Sequence, residues 1–185
     1  MTISINGIER SIDIVGPYAD PKVKAAILDN LPLLIEAGIN SPARIKMFLA
    51  QMAHESMGFS RLEEVRSDTS SERKYGHTTR VGKILGNTEE GDGAKFKGRG
   101  IIQLTGRYNY DKYGKKLGLD FIRKPELAAK PHIAVKVAVK YWQDKNLNEW
   151  ADAGDVKTVT KRINGGYNGL ADRTKRYESL RGVKI

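Results

Sequence analysis

The apolar residues of this chain recur at helical spacing along most of its length. Asp20-Pro21 reads as a capping residue followed by proline at the first helical position, and Val23, Ile27, Leu31, Leu34 and Ile35 then fall on one face. Pro32 lacks the N–H that a helix interior uses, so it kinks or divides this helix, and Gly38 ends it. Ser41-Pro42 opens a second helix by the same logic, with Ile45, Phe48, Leu49 and Met52 as its apolar stripe. The next position on that stripe is Glu55, so a carboxylate stands where an apolar side chain is expected. Gly58 is a natural stop.

Further helices follow. One, capped by Thr105, carries Tyr108, Tyr113 and Leu117 and stops at Gly118; a short one starts at Pro125. Residues 132–144 turn Ile133, Val137, Tyr141 and Trp142 inward. Asp155 caps a helix bearing Val156, Val159 and Ile163 that ends at Gly165-Gly166, and Leu170, Arg173, Tyr177 and Leu180 mark the last. Two stretches lack the period. Residues 2–14 alternate weakly around Asn6-Gly7, which predicts a small hairpin or extended arm within residues 1–18. Residues 66–99 are polar and glycine-bearing and predict a long loop, and loops of that length inside a compact domain are usually functional. The fold class is therefore mainly α: a single domain over 1–185, with an N-terminal arm (1–18) and a helical core (19–185).

Composition narrows the chemistry. With 185 residues, 39% of them hydrophobic and 29% charged, the chain is expected to be one globular domain. No run approaches the roughly 18 apolar residues of a membrane span. The start, MTISINGIERSIDIV, lacks a basic segment followed by an apolar one, so synthesis in the cytoplasm without a secretory leader is the expectation. There is no cysteine, which removes disulfides, thiolate nucleophiles and cysteine-based zinc sites. The net charge of +10 suits an anionic partner, although surplus lysine also serves solubility alone. The lysines are scattered, which argues against a nucleic-acid-binding arm.

His54-Glu55 begins like a zinc-peptidase helix, but the fifth position is Gly58, and the other histidines, His77 and His132, stand at no ligand spacing. No metal or other cofactor is expected. The plainer reading of His54 is a helix-end residue whose ring bonds a nearby backbone group or carboxylate. A serine nucleophile would need a G-x-S-x-G elbow, and none is present. Paired carboxylates remain. Glycoside hydrolysis needs one carboxylic acid to protonate the leaving oxygen and a second carboxylate to activate water or attack directly. Glu55, on the apolar side of its helix, suits the acid role, because removal from water favours the neutral form of a carboxyl. Glu64 comes nine residues later. On one continuous helix the two would be ~13.5 Å apart along the axis and on opposite faces. A break at Gly58 lets the chain turn and bring Glu64 back across a cleft. Glu63 is the fallback, since alternation lets only one of the pair face in; otherwise both are surface acids paired with Arg61 or Arg66.

Three segments, FLAQMAHESMGFSRLEE, GDGAKFKGRGIIQLTGRYNY and RINGGYNGLADR, resemble in the same order glycoside hydrolase family 19, above all its compact bacterial and bacteriophage members, the chitinase-like endolysins. The likeness spans roughly residues 38–181. It implies a lysozyme-like helical fold of two lobes with a substrate cleft between them, inverting hydrolysis of β-1,4-linked N-acetylhexosamine polymers, and no cofactor. By the resemblance Glu55 is the general acid and Glu64 the second carboxylate, the base. Thr105 matches a residue that helps to hold the attacking water. Gln103 and Asn109 lie along the substrate cleft, and Asn164 and Arg173 match further cleft positions. Arg173 could also orient a catalytic carboxylate. Tyr108 and Tyr110 offer rings to a sugar face, with core packing as the alternative.

The chain departs from plant members in having no cysteine, in a short segment between Glu64 and Lys97, and in Asn168 where those carry an acid. Peptidoglycan is therefore the expected substrate, cut by a monomeric muramidase-type endolysin without a separate wall-binding domain, acting on the anionic envelope after release to the wall. The carboxyls should stand ~6.5–9.5 Å apart, leaving room for water. A chitinase, a lytic transglycosylase and a non-catalytic glycan-binding module are the alternatives.

Overall fold

A computed structural model describes residues 2–185 of the chain. It is mainly helical, as the apolar periodicity predicts. The first element corrects an expectation: residues 5–15 form a helix, α1 (Ile5–Val15), where a hairpin was expected. Ser4 caps it by accepting the Gly7 N–H at 3.1 Å, and Ile8, Ile12 and Val15 are buried at spacings of four and three. Full burial of each contributes about 1.5–3 kcal/mol, which outweighs the weak alternation around Asn6-Gly7. Gly7 is there for closeness rather than for a turn: a Cβ at this position would run into the Lys184 carbonyl.

The expected starts and stops hold for the next helices. Asp20 caps α2 (Pro21–Asp29), and the chain restarts at Asn30 into α3 (Leu31–Glu36), so Pro32 marks a division. Ser41 caps α4 (Pro42–Glu55), whose buried face carries Ile45, Phe48, Leu49 and Met52. After α4 the backbone is left-handed at Met57, Gly58 and Phe59, and the helix cannot continue. The stretch 66–99 is not one loop. It holds α5 (Asp68–Tyr75), α6 (Arg80–Ile84) and α7 (Asp92–Lys95). These are too short to stand on their own amphipathic faces and are pinned by polar side chains instead. The Glu72 carboxylate accepts from the N–H groups of Gly91 and Ala94, and Asp92 accepts from Thr88, Glu89 and Arg107.

α8 (Arg107–Leu117) stops at left-handed Gly118 as expected, but its cap is Gly106. Thr105 does not cap it; its hydroxyl donates to the Gln103 carbonyl at 2.9 Å. A 3₁₀ turn (Pro125–Ala129) leads into α9 (Pro131–Asp144), followed by α10 (Asn148–Asp152), α11 (Val156–Asn164) and α12 (Leu170–Ser179).

Two apolar cores result. The larger gathers α1–α4 and α9–α12, with Phe48 edge-on to Trp142 at 5.4 Å. The smaller is built on Phe96, Tyr110, Tyr113 and Phe121, and α9 serves both through Ala134 and Ala138 on one side and Val137 on the other. Tyr110, offered as a sugar platform, is fully buried there, with its hydroxyl donating to the Lys97 carbonyl at 2.6 Å. No helix among the described residues is long and apolar enough to cross a membrane.

Candidate active site

Glu55 is the last residue of α4 and continues its buried stripe out of the core. Its side chain keeps 21% of its surface exposed, while Arg173, brought from α12, is sealed at 1%. Arg173 Nη2 reaches Glu55 Oε1 at 2.5 Å. The contact lies off the line of a good hydrogen bond, and Oε1 accepts no hydrogen bond from another group. The rest of the guanidinium is fixed from behind, by Gln51 Oε1 at 2.7 Å and the Asn168 carbonyl at 3.2 Å. The sequence offered Arg173 both as a cleft position and as a residue to orient a catalytic carboxylate, and its contact with Glu55 fits the second. It lies behind Glu55, buried by the packing of α12 on α4, where it can hold the carboxylate but presents no face to a ligand.

Glu64 is positioned by a fragment of sheet. Glu63 bridges to Arg99, and Arg99 bridges in turn to Leu104. Through these pairings the Glu64 N–H donates to the Gly98 carbonyl at 2.9 Å, and the Gly100 N–H to Leu62 at 2.7 Å. Successive side chains on an extended strand point to opposite faces, which separates the two acids. Glu63 turns outward to Lys97 Nζ at 3.1 Å and is half exposed. Glu64 turns inward. Its Oε1 accepts from Arg66 Nε at 2.8 Å and the Tyr75 hydroxyl at 3.1 Å, and its Oε2 from the Gly98 N–H at 3.2 Å. Burial pushes this carboxyl upward, but the Arg66, Gly98 and Tyr75 donors outweigh it and hold Glu64 below its usual range. It is therefore an ionised carboxylate at neutral pH.

Glu55 and Glu64 line one cavity of about 330 Å³, together with Gln103, Arg61 and Arg66. Gly98 lies beside two of its lining residues, Glu64 and Gln103. A Cβ added there would lie 2.8 Å from Gln103 Oε1, 3.3 Å from Glu64 Oε2 and 3.4 Å from Thr105 Oγ1. Three oxygens thus converge on one small space. Gln103 has a left-handed backbone (φ 51°), and its amide Nε2 is spent on the Gly100 carbonyl at 2.9 Å, which leaves its Oε1 facing that space. The Thr105 hydroxyl spends its proton on Gln103, so it meets a ligand as an acceptor. Asn109, tied to the Thr105 carbonyl at 3.0 Å, lines an adjoining cavity with Gln103 and Thr105.

The remaining sequence candidates fall outside these cavities. Tyr108 is 63% exposed and lines neither, because its backbone lies against Gly86 on the outer side of α8. Asn164 is exposed at the end of α11, one residue beyond Ile163, whose carbonyl accepts from Tyr141 at 2.9 Å. His54 behaves as the plainer reading has it: Nδ1 lies 2.7 Å from Asp172 Oδ2. Gly169 lies so close over the imidazole that any Cβ would collide with the ring.

Sequence reasoning missed Gln51, Tyr75 and Gly98. Gln51 left a signal, a polar residue four before Glu55 on a buried helix. Tyr75 and Gly98 left none, since both reach Glu64 only through tertiary packing.

The sequence model of the class I chitinases of glycoside hydrolase family 19 matches residues 39–162. A glycosyl hydrolase family 19 domain-containing protein of Haemophilus influenzae is 35% identical, with 97% of each chain covered. An endochitinase of Arabidopsis thaliana is 33% identical over 70% of this chain and 42% of its own. Among solved structures, chitinase C of Streptomyces griseus superposes with a TM-score of 0.67 at 22% identity, covering 95% of this chain and 75% of that one. A class IV chitinase of Zea mays gives 0.63 at 21%, with 98% and 94% covered. The lysozyme-like helical fold expected from the three segments is the fold these structures share.

Proposed function

Because this chain belongs to glycoside hydrolase family 19, and is accordingly a glycoside hydrolase, we propose that it cuts the β-1,4 bonds of bacterial peptidoglycan as a muramidase-type endolysin. The observation that carries the mechanism is the single cavity lined by Glu55 and Glu64, in which Glu64 is kept ionised by three donors while Glu55 stands at the mouth of the larger core. Glu55, as the general acid, gives a proton to the leaving glycosidic oxygen as the bond to the anomeric carbon breaks. A water on the opposite face of the sugar attacks that carbon and passes a proton to Glu64, and the configuration inverts. Its hydrogens point at Glu64 Oε2 and at the Thr105 or Gln103 oxygen above Gly98, which leaves a lone pair for the attack. Arg173 acts from behind as a positioning residue for Glu55.

Peptidoglycan is favoured by the net charge of +10, which draws the protein to an anionic envelope and gains nothing from neutral chitin. The enzyme works as a monomer on the wall after release. Chitin is the second reading, favoured by the endochitinase that shares a third of the matched residues.

Digestion of purified sacculi decides. Muropeptides with reducing ends that carry one added water, lost in both Glu55→Gln and Glu64→Gln, are expected. Anhydro products surviving in Glu64→Gln would mean a lytic transglycosylase, turnover of chitin oligomers alone would mean a chitinase, and no turnover of either would mean a binding module.

A further inference from the structure

Beside the cavity of the two glutamates lies the second one, of about 300 Å³, and Gln103 lines both. Lys112 and Lys145 line it, and no carboxylate does. The acid that Lys112 reaches is shared with another lysine. Asp144 takes Lys116 Nζ at 2.7 Å and the Tyr113 hydroxyl at 3.1 Å, and Lys112 Nζ stands off at 3.8 Å. Lys145 makes no ion pair among the described residues; its Nζ lies 5.5 Å from the centre of the Tyr141 ring. A recess next to the bond-cutting groups therefore carries two partly sheltered positive charges, of which Lys145 has no ion pair among the described residues and Lys112 has only its outlying contact with Asp144. Concave low-dielectric walls concentrate such a field.

A strand made only of N-acetylhexosamine offers these lysines hydrogen-bond acceptors but no anion, whereas the peptide stems of peptidoglycan carry free carboxylates. We propose that this recess receives a stem carboxylate, and that Lys112 and Lys145 make the cleft selective for the anionic glycan. The inference rests on the reading of peptidoglycan as substrate and deepens it. Lysine suits the task, because an ammonium on a flexible stem follows a mobile carboxylate without demanding the planar geometry that arginine requires. The attraction acts on the substrate before and during the reaction alike, so it belongs in KM and leaves kcat alone.

The test compares wild type, K112A/K145A and the remote control K22A/K184A, which removes the same charge from exposed positions outside the cleft. Each is assayed on native sacculi and on sacculi whose carboxyls have been converted to amides. The expected result is a KM raised roughly threefold to tenfold on native sacculi for K112A/K145A only, with no penalty on amidated sacculi. Loss of equal size on both substrates, or behaviour like the control, overturns the proposal while the peptidoglycan reading stands. Wild type that turns over neither kind of sacculus overturns both.

Discussion

Arg173 and Glu55 meet at 2.5 Å, with the arginine sealed from solvent and the glutamate at the edge of the cleft. The pair links the buried side of α12 to the reacting side of α4. Arg173→Ala would leave Glu55 and Gln51 Oε1 facing an empty buried space. Breaking a buried pair costs about 3–5 kcal/mol, and the partly exposed glutamate puts this one near ~3 kcal/mol. Urea unfolding should show that loss as a lower midpoint with an unchanged slope. Arg173→Lys keeps the charge and surrenders the fork that grips Gln51 and Asn168. It is expected to fold and to lose most of its kcat, since the carboxylate is no longer held to one position. Full activity in Arg173→Lys would remove the positioning role.

With Glu64 as the proposed base, the acid side of the pH profile is expected to follow its titration. Burial raises its carboxyl, and the donors from Arg66, Gly98 and Tyr75 more than offset this, so it sits below its ordinary 4.5. A carboxyl depressed by folding contributes stability above its unfolded value and loses that contribution as pH falls through its folded value. Both the base and this share of stability should therefore persist through neutral pH down to 4.5 and fade only below it. Arg66→Gln removes the strongest of the donors and should shift the acid limb of kcat/KM upward with little change at neutral pH. An acid limb that did not move would detach Glu64 from the profile.

How far the sequence could be read depended on where each interaction came from. Glu55 was legible because the period of α4 is local: a carboxylate on the stripe of Ile45, Phe48 and Met52 stands out in fourteen residues. That only one of Glu63 and Glu64 faces inward was legible too, from strand alternation. Which one was not, because the choice is made by pairing with Arg99, far along the chain. The N-terminal helix was misread by trusting Asn6-Gly7 over the spacing of Ile8, Ile12 and Val15. That Arg173 could orient a catalytic carboxylate was legible, but its burial behind Glu55 was not, since periodicity says which face of α12 is buried only once its partner helix is known.

The segment 66–99 was opaque for another reason: its helices are held by side chains that cap other helices. Asp92, 1% exposed, joins Arg107 through two bonds of 2.8 Å and takes the N–H groups of Thr88 and Glu89. Asp92→Ala strands three of the four donors, since Arg107 Nη2 keeps Glu89 Oε2 at 2.9 Å. The expected cost is about 3 kcal/mol or more, at the low end for a broken buried pair. Because the damage lies beside Glu72 and α5, hydrogen exchange should rise first across residues 68–96, ahead of the α4–α12 core. Uniform loss of protection across the whole chain would show that this wall of the cleft does not open separately.

Gly98 offers the most direct probe of the bond-cutting space. Its backbone needs no left-handed conformation, so alanine brings no strain of its own, and only the methyl group matters. At 2.8 Å from Gln103 Oε1 the methyl is closer than real contacts allow, yet that oxygen is the end of a side chain and can give way. The fold is therefore expected to survive Gly98→Ala with a loss of ~1 kcal/mol or so, in the range of mild overpacking. The reaction is not. The methyl would occupy the space between Glu64 Oε2 and Thr105 Oγ1, where the attacking water has to be held, and displacement of a reacting group by about 1 Å can cost on the order of 10²-fold in rate. Thr105→Val makes the complementary change, keeping the volume and removing the acceptor. Glu64 still holds the water there, so a smaller fall in kcat is expected, about tenfold. Single-turnover rates on sacculi would rank the three as wild type, Thr105→Val, Gly98→Ala. If Gly98→Ala cut as fast as wild type, the water would not lie above residue 98, and Glu64 would have to draw its proton from another side of the cavity.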